Sequence, residues 1–193
     1  GTALAGELPV SMEITVMGDI SGHDSSVLAI SALKGALLAA GSEDVTYVNA
    51  PGLAADRGVT SNVTTTPDSP EYRSMISLHL ALSNGKSIKV DGTLMGIRKV
   101  EKIIAIDGFD LDLPPTENML FLGYADRPGV VGAVGNALGA AKINIAGMQV
   151  ARDAQGGNAL MAITVDSTVT ESVAAAVAKE IGADLVRSVS LVG

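Results

Sequence analysis

The spacing of apolar positions changes several times along the chain, and each change marks an element. Met12 to Met17 alternates apolar and polar side chains, the pattern of a half-buried strand. Val27 to Ala40 is apolar at helical spacing; Ser25 or Ser26 is placed to cap its start and Gly41 to stop it. Val45 to Val48 reads as a strand, and Asn49-Ala50-Pro51-Gly52 leads into a short helix ending near Arg57-Gly58. Val63 to Thr66 is β-rich. Met75 to Leu82 and Ser87 to Val90 flank Asn84-Gly85, a dipeptide that turns a hairpin because both residues tolerate positive φ. Thr93 to Gly96 and Val100 to Ile106 are further strands, followed by a tight turn at Asp107-Gly108. This half predicts an open mixed α/β sheet with few helices.

Pro114-Pro115 favours an extended junction and divides the chain into residues 1–115 and 116–193. In the second segment Glu117 to Tyr124 is an apolar strand. Pro128 stands at a helix start, and Val130, Val131, Val134, Leu138 and Ala141 recur at helical spacing. Ile143 to Ala151 and Ala159 to Val165 are strands joined by a hairpin loop over Asp153 to Asn158. Thr170 and Glu171 open a helix with Val173, Val177 and Ile181 on one face, and Leu185 to Val192 closes as a strand. The order β-α-β-β-α-β is that of a ferredoxin-like unit, so the fold class is α+β.

Composition narrows the function. Hydrophobic residues make up 47% of the 193 residues, but aromatic residues only 3%, so the core is built from Val, Ile, Leu, Ala and Met. The net charge of −8 argues against binding nucleic acid or an anionic membrane. There is no cysteine, which removes disulfides, thiolate metal sites and thiol nucleophiles, and suits a cytoplasmic protein. The Gly1-Thr-Ala-Leu start carries neither Met nor a basic signal region and reads as a piece of a longer chain.

The strongest candidate site is Tyr124-Ala125-Asp126-Arg127-Pro128-Gly129-Val130-Val131, where a strand gives way to a helix. Free amides at a helix start attract a carboxylate or phosphate. Asp126 and Tyr124 add polar groups. Asn144 and Ile145 open the next strand, expected beside the first, and the Asn144 amide both donates and accepts. Together these groups suit a zwitterion, although the same spacing leaves Asp126 equally suited to capping the helix. Arg98, Lys99 and Lys102 form a thin cationic cluster, either a small anion site or a solvated charged turn. Gly129, Gly132 and Gly135 lack the G-x-G-x-x-G spacing of a dinucleotide fold. His23 sits with Asp19, Ser21, Asp24 and Ser25 in a single loop, unlike a hydrolase triad gathered from distant segments. No metal site and no catalytic residue is assigned; Asp107, Asp110 and Asp112 lack the rest of a calcium loop.

Asp126-Arg127-Pro128-Gly129-Val130-Val131-Gly132, followed by Lys142-Ile143-Asn144-Ile145, resembles the signature of ACT domains, and the likeness spans residues 117–193. Glu13 to Gly18, Asn49-Ala50, Gly58-Val59, Val90 to Thr93 and Lys102-Ile103-Ile104 resemble the intervening, allosteric substrate-binding domain of long-form D-3-phosphoglycerate dehydrogenases. The resemblance implies a regulatory fragment that binds L-serine and mediates feedback inhibition of serine biosynthesis. It implies NAD as cofactor of catalytic domains outside this chain, and homo-oligomers formed through the ACT domain. By the same resemblance, Tyr124, Asp126 and Asn144 match serine-contacting positions. A similar domain pair beside serine-deaminating enzymes is the alternative. A symmetric dimer is expected to use Ala137, Leu138 and the edge of the segment's first strand.

Overall fold

The computed structural model describes residues 1–191, and its contacts divide the chain into two compact units, Gly1–Asp107 and Gly108–Gly193. The division falls at the Asp107-Gly108 turn rather than at Pro114-Pro115, where the sequence placed it.

The first unit contains α1 (Thr2–Ala5), β1 (Ser11–Gly18), a 3-10 turn (Asp19–Gly22), α2 (Ser26–Ala39), α3 (Ala50–Asp56), β2 (Thr60–Thr66), β3 (Ser74–Ala81), β4 (Ser87–Met95) and β5 (Val100–Ile106). Its strands lie in the order β2-β1-β3-β4-β5. β1 runs parallel to β2 and antiparallel to β3. The parallel pair needs a crossover, which α2 and α3 supply. Met12, Ile14 and Val16 alternate into a core with Leu33, Ala36 and Leu37 of α2, and Ala50 and Ala54 of α3.

Several expectations change here. Val45 to Val48 is a turn, not a strand. Asn49 Oδ1 accepts from the Thr46 amide at 2.7 Å, and Asn49 Nδ2 donates to the Asp44 carbonyl at 2.9 Å. A side chain that satisfies the local backbone removes the need for a sheet partner. The start of α2 is bonded by Asp24, whose carboxylate accepts from the Ser26 amide at 2.9 Å; Ser25 makes no side-chain cap. The expected strands 87–90 and 93–96 form the single strand β4, with a register shift at Asp91/Gly92.

The second unit contains β6 (Phe109–Leu113), β7 (Asn118–Ala125), α4 (Val130–Ala140), β8 (Ile145–Arg152), β9 (Asn158–Val165), α5 (Glu171–Ile181) and β10 (Leu185–Ser190). The far end of the expected last strand, Val192, lies outside the described residues. The four-stranded sheet has the order β10-β7-β9-β8, with every neighbouring pair antiparallel. This is the expected ferredoxin-like arrangement, with mixed helices and sheets across the whole chain. Leu120, Leu122 and Tyr124 of β7 share one core with Val130, Val134 and Leu138 of α4, and with Val177 and Ile181 of α5. Thr170 caps α5 by accepting from the Val173 amide at 3.4 Å, and Gly182 ends it at φ 63°. β6 was not expected. It is tied to β8 through Gln149, which accepts from the Asp112 amide at 2.8 Å and donates to the Asp112 carbonyl.

Among the described residues no helix is long and apolar enough to cross a membrane.

Candidate effector site

The loop after β7 is shaped by glycine. Gly129 takes φ 91° at the N-terminus of α4, a conformation that a side chain with a Cβ resists. No side chain caps this helix end. The amides of Val130, Val131 and Gly132 therefore remain available at the positive end of the helix dipole. Asp126 does not serve as the cap. Its Oδ2 accepts from Arg152 Nη1 at 3.2 Å and from the Gly156 amide at 3.4 Å.

The hairpin between β8 and β9 brings these groups together. β9 pairs Asn158 with Ala125, so the 153–158 loop falls beside the end of β7. Asp153 folds that loop, accepting from the Ala154 amide, the Asn158 amide and Asn158 Nδ2. These bonds, the Asn158 side chain first, hold the Asp153 carboxyl below its ordinary range. The Asp126 amide donates to the Gly157 carbonyl at 2.8 Å, which fastens the two loops.

Tyr124 is 3% exposed and belongs to the core. Burial raises its phenol pKa, and the negative charge of Asp126 raises it further, while Arg152 opposes the shift. Tyr124, Asp126 and Arg152 are thus one electrostatic cluster.

The remaining candidates divide by role. Arg127 Nη2 donates to the Ile181 carbonyl at 2.7 Å, at the C-terminus of α5, where a cation opposes the helix dipole. Val130 is buried in the core and Ile145 packs against it. Pro128 and Gly129 form the exposed turn, and Val131 is 51% exposed beside it. Asn144 is elsewhere. β9 lies between β7 and β8, and β8 starts opposite Val165, while β7 ends opposite Asn158. Asn144 and Asp126 therefore occupy opposite ends of the sheet, separated along β8 by roughly 20 to 25 Å at about 3.3 Å per residue. At its own end Asn144 Nδ2 donates to Asp166 Oδ2 at 2.6 Å.

Arg152 was missed by the sequence reading. It is the only Lys or Arg between Lys142 and Lys179, and the strand order explains why it matters. The proposed dimer contacts also change. Leu138 is fully buried and β7 is a central strand, so the outer strands of this sheet are β8, which β6 adjoins, and β10.

In the first unit, a cavity of about 490 Å³ is lined by Asp19, Ile20, His23, Arg73, Ser74, Leu94, Gly96 and Lys99. Lys99 is thus separated in role from Arg98 and Lys102, which do not line it. Asp19 is paired with Arg73 at 2.5 Å and Asp24 with the Ser26 amide, so neither makes the acid partner of a His23 triad. Asp107 Oδ1 accepts from the Lys89 amide at 2.7 Å, which ties the turn after β5 to β4. Gly129, Gly132 and Gly135 lie at the start and along α4 over an antiparallel sheet, which does not fit the parallel strand-turn-helix cradle of a dinucleotide such as NAD.

Comparison with known proteins agrees with this division. Residues 5–107 match the D-3-phosphoglycerate dehydrogenase intervening domain, and residues 118–182 match the ACT domain. A D-3-phosphoglycerate dehydrogenase of Mycobacterium leprae is 36% identical over 98% of this chain and 36% of its own length. One from Mycobacterium tuberculosis is 38% identical over 93% of this chain and 34% of its own length. One from Synechocystis is 33% identical over 93% of this chain and 32% of its own length. The chain spans about a third of the length of these relatives.

Proposed function

Because the chain belongs to the D-3-phosphoglycerate dehydrogenase family, as its regulatory intervening-plus-ACT part, we propose that its second unit binds L-serine and conveys feedback inhibition of serine biosynthesis. The parent activity would be NAD-dependent oxidation of 3-phosphoglycerate, carried by catalytic domains outside these residues. The observation that supports the reading is the pairing of Asp126 with Arg152 beside the uncapped start of α4. An acid, a base and free amides together match the ammonium and carboxylate of an α-amino acid.

Asn144 joins this site only from a second copy. In a symmetric pair of ACT units, the Asn144 end of one sheet would meet the Asp126 end of the other, and each copy would complete the other's site. Serine would then favour the paired arrangement by the difference in its affinity for the two arrangements.

Calorimetric titration with L-serine tests the reading, with D-serine and glycine as controls. Saturable L-serine heat, lost in Asn144→Ala and in Asp126→Ala, is the expected result. Mixing the two variants restores one intact site per mixed pair, so binding returns in part. No binding by the wild type, or no recovery on mixing, overturns the shared site.

A further inference from the structure

We propose that Arg152 is the specificity-determining residue of the effector site, making it select zwitterions over simple amines. The inference rests on the amino-acid-binding reading above and names what enforces it.

Three observations converge. The Asp126 side chain is only 18% exposed, and Arg152 Nη1 lies 3.2 Å from its Oδ2. The Gly156 amide bonds the same oxygen, while Oδ1 makes no hydrogen bond among the described residues. The Arg152 side chain is 54% exposed, and a guanidinium has five N–H donors, of which this contact uses one.

Without Arg152, the site would present a largely covered carboxylate beside a buried phenol and would attract any amine. With Arg152, the pair is neutral before the ligand arrives. A zwitterion adds one charge of each sign. Its ammonium takes the open Oδ1, and its carboxylate takes the spare guanidinium donors and the amides at the start of α4. Both protein charges remain compensated. A simple amine competes with Arg152 for Asp126 and leaves the guanidinium uncompensated. A simple acid gains Arg152 but meets Asp126.

The test is calorimetry on the full chain, comparing L-serine with ethanolamine, which keeps the amine and hydroxyl but lacks the carboxylate. The wild type is expected to bind L-serine and to reject ethanolamine. In Arg152→Gln, L-serine weakens by about tenfold or more, consistent with the loss of a charge-assisted contact, while ethanolamine gains, so the preference collapses. Arg152→Lys keeps the charge without the fork and restores part of the preference. Thermal melts monitored by circular dichroism establish that each variant is folded. Arg152→Gln that holds L-serine within about twofold of wild type, with ethanolamine still rejected, overturns the proposal and leaves the serine reading intact. Wild type that ignores L-serine but binds glycine or L-alanine overturns the serine reading alone, and the same amine comparison then uses that ligand's decarboxylated form. Wild type that binds no amino acid overturns both.

Discussion

The two units bury their central strands differently. In the second unit, β9 is buried at every position but its first, and β7 is buried at all but Gly123 and Ala125. Both faces of these strands are covered, and polar groups are pushed to the strand ends and the hairpin, where Asp126, Arg152 and Asp153 lie. In the first unit, β1 alternates, and β2 is a row of mostly exposed Thr, Ser and Asn side chains. Its cavity is walled mostly by turns and carries an exposed pair, Arg73 with Asp19. A site at the end of a doubly covered sheet inherits fixed positions from its strands. A cavity between surface turns depends on how those turns are held.

The sharpest test of the comparison is whether the two cores unfold separately. Leu138 and Leu37 are 0% and 1% exposed, one in each core. Leu138→Ala and Leu37→Ala should each cost about 2 to 5 kcal/mol. In urea unfolding followed by circular dichroism, each is expected to shift a different transition. A single transition moved equally by both would show that the units share their cooperativity.

Next in size is Gly18→Ala, in the turn that walls the first unit's cavity. Gly18 sits at φ 79°, and an added Cβ would fall on the Arg73 carbonyl oxygen, which also accepts from the Asp19 amide at 3.0 Å. Positive φ and a backbone collision together should cost about 1 to 3 kcal/mol or more. Gly129→Ala in the second unit also meets positive φ, at 91°, but nothing within 4 Å of the added Cβ. It should cost less, on the order of 1 kcal/mol. Equal losses would remove the steric argument for Gly18. Smaller again, Arg127→Ala should lose about 1 kcal/mol by freeing the Ile181 carbonyl. It should leave the Asp126–Arg152 pair in place, so L-serine affinity should change little while the melting temperature falls.

Which parts of this molecule can be read from sequence follows from the range of the interactions involved. The βαββαβ order of the second unit is written in local periodicity, and the cap at Thr170 and stop at Gly182 mark α5 within a residue. The loop from Tyr124 to Val131 was legible as a candidate site because a strand, a glycine and a helix start adjoin in sequence. Arg152 was not legible, because its place near Asp126 depends on β7 and β8 both running antiparallel to β9, which sets the ends of β7 and β8 at the same end of the sheet. The same direction puts Asn144, at the start of β8, at the opposite end of the sheet from Asp126. Val45 to Val48 misled for the opposite reason. Its residues suit a strand, but Asn49 bonds the surrounding backbone and settles it as a turn. β6 carried a period-two signal in Phe109-Asp-Leu-Asp-Leu113, masked by the neighbouring prolines.

The smallest effect concerns the two loops that aspartates organise, one in each unit. Asp24 accepts from the Ser26 amide, and Asp153 accepts from three donors, two of them on Asn158. Both carboxyls are held below their ordinary value, Asp24 by the Ser26 backbone bond first and Asp153 by the Asn158 side chain first. A depressed folded pKa means that the contribution is present above the unfolded value of about 3.9 and is lost as pH falls through the folded one. Neither loop should therefore loosen between pH 7 and about 4. On further acidification, the amide resonances of Ser26, Ala154 and Asn158 should shift. Both midpoints should lie below about 3.9. The Asp153 loop also carries the Gly156 amide and Gly157 carbonyl that hold Asp126, so its titration should perturb the Asp126 amide in step. Midpoints at or above about 3.9 would show that the aspartate bonds do not form in solution. An Asp126 amide indifferent to the Asp153 titration would show that the hairpin does not hold Asp126 in place.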